Sequence, residues 1–213
     1  MKILLASSSP RRKDLIHQIH WEAQIEKSDF HEVENLENGE RRLSLMEDKS
    51  LFPFKGPDLV TAMNAWGKAH DVAERTKSPL PVVGADTIVT MDGKILGKPK
   101  DKEDAFSMLS FLSGKTHEVK TAVALLYKGK TCIRVVTTKV HFRRLTSDEI
   151  RAYIETGEPM DKAGAYGIQG MGTLLVTAIE GSYDNVVGLP LTELYLMMEE
   201  MKSIKGIYLT SGA

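Results

Sequence analysis

Residues 7–12, Ser-Ser-Ser-Pro-Arg-Arg, bring hydroxyl groups and two guanidinium groups together directly after an apolar run. Pro10 is typical of the first turn of a helix, where its missing N–H costs nothing. The start of a helix offers unpaired backbone N–H groups to an anion, and a guanidinium group fits phosphate oxygens. Ser7, Arg11 and Arg12 are therefore candidate phosphate ligands. A capped helix with solvated arginines is an equally weighted alternative.

Asp86 is a candidate for a different kind of chemistry, because it lies in the apolar stretch VVGADTIV. An ionised carboxylate among buried strand residues is costly unless it is paired, bound to a metal or used in catalysis. We favour a general base or a metal ligand with a tuned pKa. The alternative is an aspartate that caps a turn at the end of a strand.

Two further charged residues have weaker support from the sequence. Lys98 lies twelve residues after Asp86, and Pro99 keeps its segment extended, so its ammonium group could return to the same site. Most single lysines, however, are solvated. Glu32 could supply a second metal-binding carboxylate, but its acidic stretch by itself fits a solvated surface better.

Five glycines stand within residues 157–172, GEPMDKAGAYGIQGMG, where they alternate with polar side chains. Glycine lets the backbone approach a ligand closely. The Gln169 amide could donate to and accept from the edge of a base, and Tyr166 could stack on it. The alternative interpretation is a tight structural corner.

The elements that must position these residues alternate between strand and helix patterns. Apolar runs and helical periodicity predict strands at 2–6, 22–27, 81–89, 118–126, 131–142 and 174–179, and helices at 10–20, 59–73, 102–112, 147–155 and after Pro190. The two long strands at 118–142 predict an antiparallel hairpin within a mixed sheet. We therefore expect an α/β fold, a mixed β-sheet flanked by helices with two lobes around a central cleft. It forms one domain over residues 1–213, with a surface excursion at about 33–56.

Composition excludes several classes of function. The formal net charge of −1 does not favour a nucleic-acid binder, and no apolar stretch is long enough to cross a membrane. Cys132 is the single cysteine, so an intramolecular disulfide is impossible. These features predict a cytoplasmic protein that binds neither nucleic acid nor membrane.

Six segments of the sequence resemble the Maf family of nucleoside triphosphate pyrophosphatases, which are fold relatives of the inosine triphosphatases. They are LASSSPRRKDLI, KAHDVAE, VVGADTIV, LGKPKDKEDAFSMLSFLSGKTHEVKTAVAL, YIETGEPMDKAGAYGIQG and IEGSYDNVVGLPL. The resemblance covers nearly the whole chain and keeps the order of the family motifs.

The resemblance implies cleavage of the α–β phosphoanhydride of a nucleoside triphosphate, which gives a monophosphate and pyrophosphate. It implies a divalent cation, Mg²⁺ or Mn²⁺, held through Asp86 and Glu32, and it makes Asp86 the proton acceptor. GADT together with AGAYGIQG resembles the branch that acts on dTTP and UTP. The residues that match positions for base choice are Arg12, Thr87 and Gln169, and those that match other polar positions of the cleft are Ser7, Arg11, Glu32, Lys68 and Lys98.

The resemblance also implies a homodimer. A nucleotide-binding regulator that holds the triphosphate with little turnover is the alternative, because a shared fold does not fix function. The presence of Asp86 argues against that alternative.

Overall fold

The computed structural model describes residues 1–46 and 48–207, and for residues 203–207 it describes the backbone alone. The strands are β1 (Lys2–Leu5), β2 (Glu22–Ile25), β3 (Val82–Met91), β4 (Lys94–Leu96), β5 (Thr116–Tyr127), β6 (Lys130–Phe142) and β7 (Val176–Glu180). The α-helices are α1 (Pro10–Gln18), α2 (Leu36–Ser44), α3 (Pro57–Thr76), α4 (Lys102–Leu112), α5 (Ser147–Glu155), α6 (Tyr183–Val187) and α7 (Leu191–Ile207). Three short 3₁₀ helices span Glu158–Asp161, Ala163–Ala165 and Gly170–Leu175.

The seven strands form one mixed sheet, in the order β2-β1-β3-β5-β6-β7 with β4 added beside β3. β1 pairs in parallel with β2 and β3, whereas β3 with β4 and β6 with β7 are antiparallel pairs. The two-residue turn between β5 and β6 can join only antiparallel strands. The prediction of a mixed sheet flanked by helices is confirmed.

The turns and helix caps that local sequence signals predict are present in the structure. Asp92 and Gly93 both have positive φ and connect β3 to β4. The Asp101 side chain accepts a hydrogen bond from the backbone of Asp104 and so caps α4. Thr146 and Glu149 form a capping box at the start of α5.

The chain divides into two compact units. Of the residues that the structure describes, the first contains those within 1–86, 122–135 and 189–207, and the second contains Thr87–Thr121 and Val136–Gly188. Strands β3, β5 and β6 contribute residues to both units. The prediction of one domain over residues 1–213 stays a prediction.

In the first unit, α3 packs directly against β3. Ten of its residues are buried, and a Cβ atom placed on Gly84 of β3 would lie 2.1 Å from the backbone carbonyl oxygen of Ala65. Only a residue without a side chain allows the helix so close to the strand. Within residues 33–56, Phe52 packs edge-on against Trp66 of α3.

The second unit has its own apolar core, which includes side chains from β3, α4, β6 and α5. An aromatic group of His117, Phe142 and Tyr166 lies within it, with ring centroids 4.7 to 5.3 Å apart and the rings nearly perpendicular. Edge-to-face contacts of this kind fix ring positions. None of the helices within residues 1–46 and 48–207 has the length and apolar character needed to cross a bilayer.

Candidate active site

Asp86 lies in β3, where three polar side chains from one face of α3 contact it. Thr61, Asn64 and Lys68 are three and four residues apart, a spacing that places them on one side of a helix. Lys68 Nζ lies 2.7 Å from Asp86 Oδ1. Asn64 Nδ2 donates to Asp86 Oδ2 at 3.3 Å, and the Thr61 hydroxyl donates to the Asp86 backbone carbonyl at 3.0 Å. The buried carboxylate therefore has a charged partner, which offsets the cost of removing its charge from water.

Glu32 contacts the same ammonium group, with Oε1 2.8 Å from Lys68 Nζ. The Lys68 side chain is 14% exposed and that of Glu32 is 52% exposed, so solvent and ligands can reach the glutamate carboxylate. Glu32, Lys68 and Asp86 form what we call the carboxylate–lysine cluster. In this cluster one partly buried cation contacts two carboxylates.

The extended segment that carries Glu32 is fastened to α3 on both sides of that residue. Asn64 accepts from the Val33 N–H at 2.7 Å and donates to the Val33 carbonyl at 3.0 Å. Two turns further along α3, Asp71 Oδ2 accepts from the Ser28 hydroxyl at 2.9 Å. Asn64 thus contacts both Asp86 and the residue next to Glu32, and it fixes the two carboxylates relative to one another.

The loop between β1 and α1 adds cationic groups to the first unit. Buried Ser7 accepts hydrogen bonds from the Ser9 N–H and from Arg12 Nη1, both at 3.2 Å. The first turn of α1, which the structure describes completely, contains Arg11 and Arg12 and no acidic side chain. Its backbone N–H groups and positive dipole end are therefore suited to an external anion.

Arg12 interacts electrostatically with the carboxylate–lysine cluster. Burial lowers the pKa of its guanidinium group, the charge of Asp86 raises it, Arg11 lowers it and Glu32 raises it. An arginine stays protonated despite such a shift. Cations and carboxylates of the same unit thus interact electrostatically with one another.

The two carboxylates fit a divalent cation. Mg²⁺ is usually held by one or two carboxylates together with phosphate oxygens of the substrate. Within the part of the chain that the structure describes, no group of three or more His, Cys, Asp and Glu side chains has the geometry of a metal site. Glu32 and Asp86 would therefore share the metal with phosphate oxygens and water.

Three of the predicted site residues lie in the second unit. Thr87 is the next residue of β3 after Asp86, and its Oγ1 atom is 2.9 Å from Thr121 Oγ1. Lys98 is exposed, and the carbonyl of the preceding residue, Gly97, accepts from the Gly164 N–H at 3.0 Å. Exposed Gln169 is the N-cap of the last 3₁₀ helix.

Side chains from outside the segment hold the backbone on both sides of Gln169. The Tyr153 hydroxyl accepts from the Gly167 N–H at 3.3 Å and donates to Glu158 Oε1 at 2.9 Å. The Glu158 carboxylate accepts from the Met171 and Gly172 N–H groups at 3.0 and 3.1 Å. We call residues 167–172 the Gln169 segment.

The sequence did not single out Asn64, Thr61, Tyr153 or Glu158. A detectable signal existed for the first two, because they share a helical face with Lys68 in an otherwise apolar stretch, and buried polar side chains need partners. No comparable signal marks Tyr153 and Glu158, whose partners are backbone groups of a segment without regular periodicity.

Comparison of the sequence with known proteins identifies the family of this chain. The family of Maf-like proteins matches residues 2–201. A protein of Clostridium botulinum (strain Alaska E43 / Type E3) named dTTP/UTP pyrophosphatase is 45% identical over 202 residues, which cover 94% of this chain and 99% of the relative. A protein of the same name from Caldanaerobacter subterraneus subsp. tengcongensis is 43% identical, over 97% of this chain and 92% of the relative. As its motifs predicted, the chain belongs to the family of Maf-like proteins.

Proposed function

We propose that this chain hydrolyses dTTP and UTP to the nucleoside monophosphate and pyrophosphate. The names of the relatives, which are 43% to 45% identical over almost the full chain, support the substrate class. The observation that carries the proposal is the carboxylate–lysine cluster, in which a buried aspartate pairs with Lys68 beside the arginine-bearing start of α1.

The triphosphate is the part of the substrate that the first unit suits best. The first turn of α1 supplies backbone N–H groups and the Arg11 and Arg12 guanidinium groups, and Ser7 orients Arg12 through a hydrogen bond. Charge that develops on the phosphate oxygens during cleavage is stabilised by such fixed donors. In this proposal Lys98 is a further phosphate ligand.

Asp86 is the proposed general base. Its Oδ2 atom accepts one long hydrogen bond from Asn64, so lone pairs remain for a water molecule. As the water oxygen bonds to the α-phosphorus, the anhydride bond between the α- and β-phosphates breaks and a water proton passes to the carboxylate of Asp86. Pyrophosphate leaves with the electrons of the broken bond.

Glu32 and Asp86 are the proposed ligands of Mg²⁺ or Mn²⁺. When bound, such a cation lowers the pKa of water and neutralises phosphate charge. Lys68 contacts both carboxylates, so it keeps them together and limits their repulsion before the metal binds.

The choice of base is assigned to Arg12, Thr87 and Gln169. The side chains of Thr87 and Gln169 can hydrogen bond with a pyrimidine edge. A homodimer and a cytoplasmic location complete the proposal, and both stay predictions.

Pyrophosphate release from a panel of triphosphates tests the proposal. The panel is dTTP, UTP, CTP, dCTP, GTP, 7-methyl-GTP and ITP, each with Mg²⁺, with Mn²⁺ and with EDTA. We expect metal-dependent turnover led by dTTP and UTP. Faster turnover of 7-methyl-GTP or ITP would support the proposed reaction but contradict the proposed substrates. Tight binding without turnover would favour a nucleotide-binding regulator.

A further inference from the structure

The segment that carries Glu32 has no regular secondary structure, so its conformation depends on what it contacts. Its two ends are hydrogen bonded to Asp71 and Asn64, which lie two turns apart on α3. The chain between these ends therefore runs along the helix, opposite to the direction of α3. We call residues 28–33 the Glu32 segment.

The middle of the Glu32 segment is held by the ring of Phe30, which lies against Gly67 of α3. A Cβ atom placed on Gly67 would overlap the Cε2 and Cζ atoms of that ring, so the ring occupies the space that a side chain would need. Gly67 is buried inside the helix, although glycine weakens a helix interior. The close approach of Phe30 requires a residue without a side chain there.

A residue of α2 contacts the same ring. The Arg42 guanidinium carbon lies 4.3 Å from the centroid of the Phe30 ring, a cation–aromatic contact that adds to its packing. Arg42 Nη1 also donates to the carbonyl of His31, next to Glu32, at 3.0 Å. The surface excursion predicted at about residues 33–56 thus contributes a helix that holds the Glu32 segment.

Phe30 and Glu32 are two residues apart, and alternate side chains of an extended chain point to the same side. The ring lies on Gly67, and Glu32 Oε1 lies 2.8 Å from Nζ of the next residue of α3, Lys68. The Glu32 side chain is half exposed, so its own burial does not hold it there. The position of the ring therefore determines where the carboxylate lies.

We infer that Phe30 is a positioning residue that holds the Glu32 carboxylate within the carboxylate–lysine cluster and thereby raises the affinity for a divalent cation. Gly67 and Arg42 contribute because they keep the ring in place. The inference rests on the proposed function, in which Glu32 and Asp86 bind Mg²⁺ or Mn²⁺. It goes beyond that function because it names three groups outside the cluster that act on metal affinity.

Phe30→Ala tests the inference, because it removes the ring and keeps the hydrogen bonds of the Glu32 segment to Asp71 and Asn64. Titration calorimetry with Mn²⁺ measures metal affinity without turnover. We expect the dissociation constant for Mn²⁺ to rise about tenfold, as for other groups that position a metal ligand. The Mg²⁺ concentration for half-maximal turnover of dTTP should rise likewise, whereas kcat at saturating Mg²⁺ should change less than about twofold.

Phe106→Ala is the matched control, because Phe106 is also half-buried and its ring centroid lies 4.6 Å from the Arg151 guanidinium carbon. This pair belongs to the second unit, so the Mn²⁺ affinity should be unchanged. In a Glu32→Gln background, Phe30→Ala should change the affinity less than about twofold, because the carboxylate that the ring positions is already absent. An equal loss in both backgrounds would overturn the inference.

Gly67→Ala separates positioning from stability. Alanine favours a helix more than glycine does, and in the Phe30→Ala background the ring that the added methyl group would overlap is absent. The double variant should therefore be more stable in urea than Phe30→Ala while its Mn²⁺ affinity stays low. Recovery of affinity together with stability would contradict a positioning role. If Phe30→Ala does not fold, Arg42→Gln, at an exposed position, should raise the dissociation constant about threefold, and an unchanged value would refute the inference.

The two measurements distinguish failure of this inference from failure of the proposed function. If the unaltered protein releases no pyrophosphate from dTTP or UTP, the proposed function fails and the Mn²⁺ titrations test the inference alone. Weaker Mn²⁺ binding by Phe30→Ala than by Phe106→Ala then supports it. Equal affinities in both variants and the unaltered protein, including no measurable binding by any of them, contradict it.

Discussion

In the carboxylate–lysine cluster, Lys68 and Asp86 project from a helix and a strand, whereas Gln169 projects from irregular backbone that other side chains hold in place. The first arrangement depends on α3, whose face of Thr61, Asn64 and Lys68 contacts β3. The second depends on Tyr153 and Glu158, which bond to N–H groups on both sides of Gln169.

The two arrangements differ in which part of the backbone must be held in one conformation. A helix that is already packed fixes all the side chains of one face at once. An irregular segment loses roughly 1–2 kcal/mol of backbone entropy for each ordered residue, so it needs its own hydrogen bonds to stay in one conformation. Function in the second unit should therefore be sensitive to residues that never meet the substrate.

Asp86→Asn should have the largest effect on the first arrangement. The amide keeps the shape of the side chain but cannot accept the water proton, so kcat should fall about 10³-fold. Turnover of dTTP and calorimetric binding of dTTP measure the two effects separately, and binding should persist.

Asp92→Asn makes the same chemical change in the exposed turn between β3 and β4, where asparagine tolerates the positive φ, and turnover should be unchanged. Loss of binding along with turnover in Asp86→Asn would instead show that Asp86 is needed to hold the substrate or the fold, and would contradict a role confined to proton transfer.

The stability of the second unit should depend on pH through buried His117. Burial, with a smaller contribution from the charge of His141, lowers the pKa of His117 from 6.5 to about 4. The unfolded chain therefore binds this proton more readily, so the stabilisation is fully present above pH 6.5 and is lost as the pH falls toward 4. Urea unfolding should show a loss of roughly 3 kcal/mol across this range from His117 alone.

His117→Phe should remove that part of the pH dependence, because phenylalanine can keep the edge-on contacts with Phe142 and Tyr166 without titrating. The exposed His17, replaced by glutamine, is the control and should leave the pH profile unchanged. An equal pH dependence in the His117 variant and the unaltered protein would contradict the assignment.

Asn64→Ala should destabilise the first unit. The substitution leaves the N–H and carbonyl groups of buried Val33 without their partner and removes a donor to Asp86. We expect the free energy of unfolding in urea to fall by about 2 kcal/mol. Asn35→Ala, which removes an exposed cap of α2, should cost only about 1 kcal/mol, and equal losses would show that Asn64 acts merely as a local cap.

Glu158→Gln should have the smallest effect. The amide cannot accept from both the Met171 and Gly172 N–H groups as the carboxylate does, so the Gln169 segment loosens. We expect KM for dTTP to rise about fivefold, with kcat changed less than about twofold. Steady-state kinetics measure KM and kcat. Exposed Glu155 on α5, which pairs with Lys102, provides the control, because Glu155→Gln should change neither constant.

The sequence predicts the first arrangement better than the second, for physical reasons. A carboxylate in an apolar strand is costly, so Asp86 stands out without any knowledge of its partners. The predicted strands and long helices agree with those observed to within a few residues at most ends, because each strand is an apolar run and each long helix has clear periodicity. Helix α6 has only five residues, too few for a periodic signal. The interactions of Glu158 with backbone groups exist only once distant segments meet.

The close packing of α3 on β3 leaves no room for a side chain at position 84. Gly84 lies two residues before Asp86, and any side chain there would collide with the backbone of Ala65 and with Ala69. Displacing the helix would carry Lys68 and Asn64 away from the carboxylate. A saturation mutagenesis screen scored by turnover should therefore find Gly84 as intolerant as Asp86, although a glycine has no functional group to contribute. Mutational intolerance at this position would report the distance between two elements of the backbone.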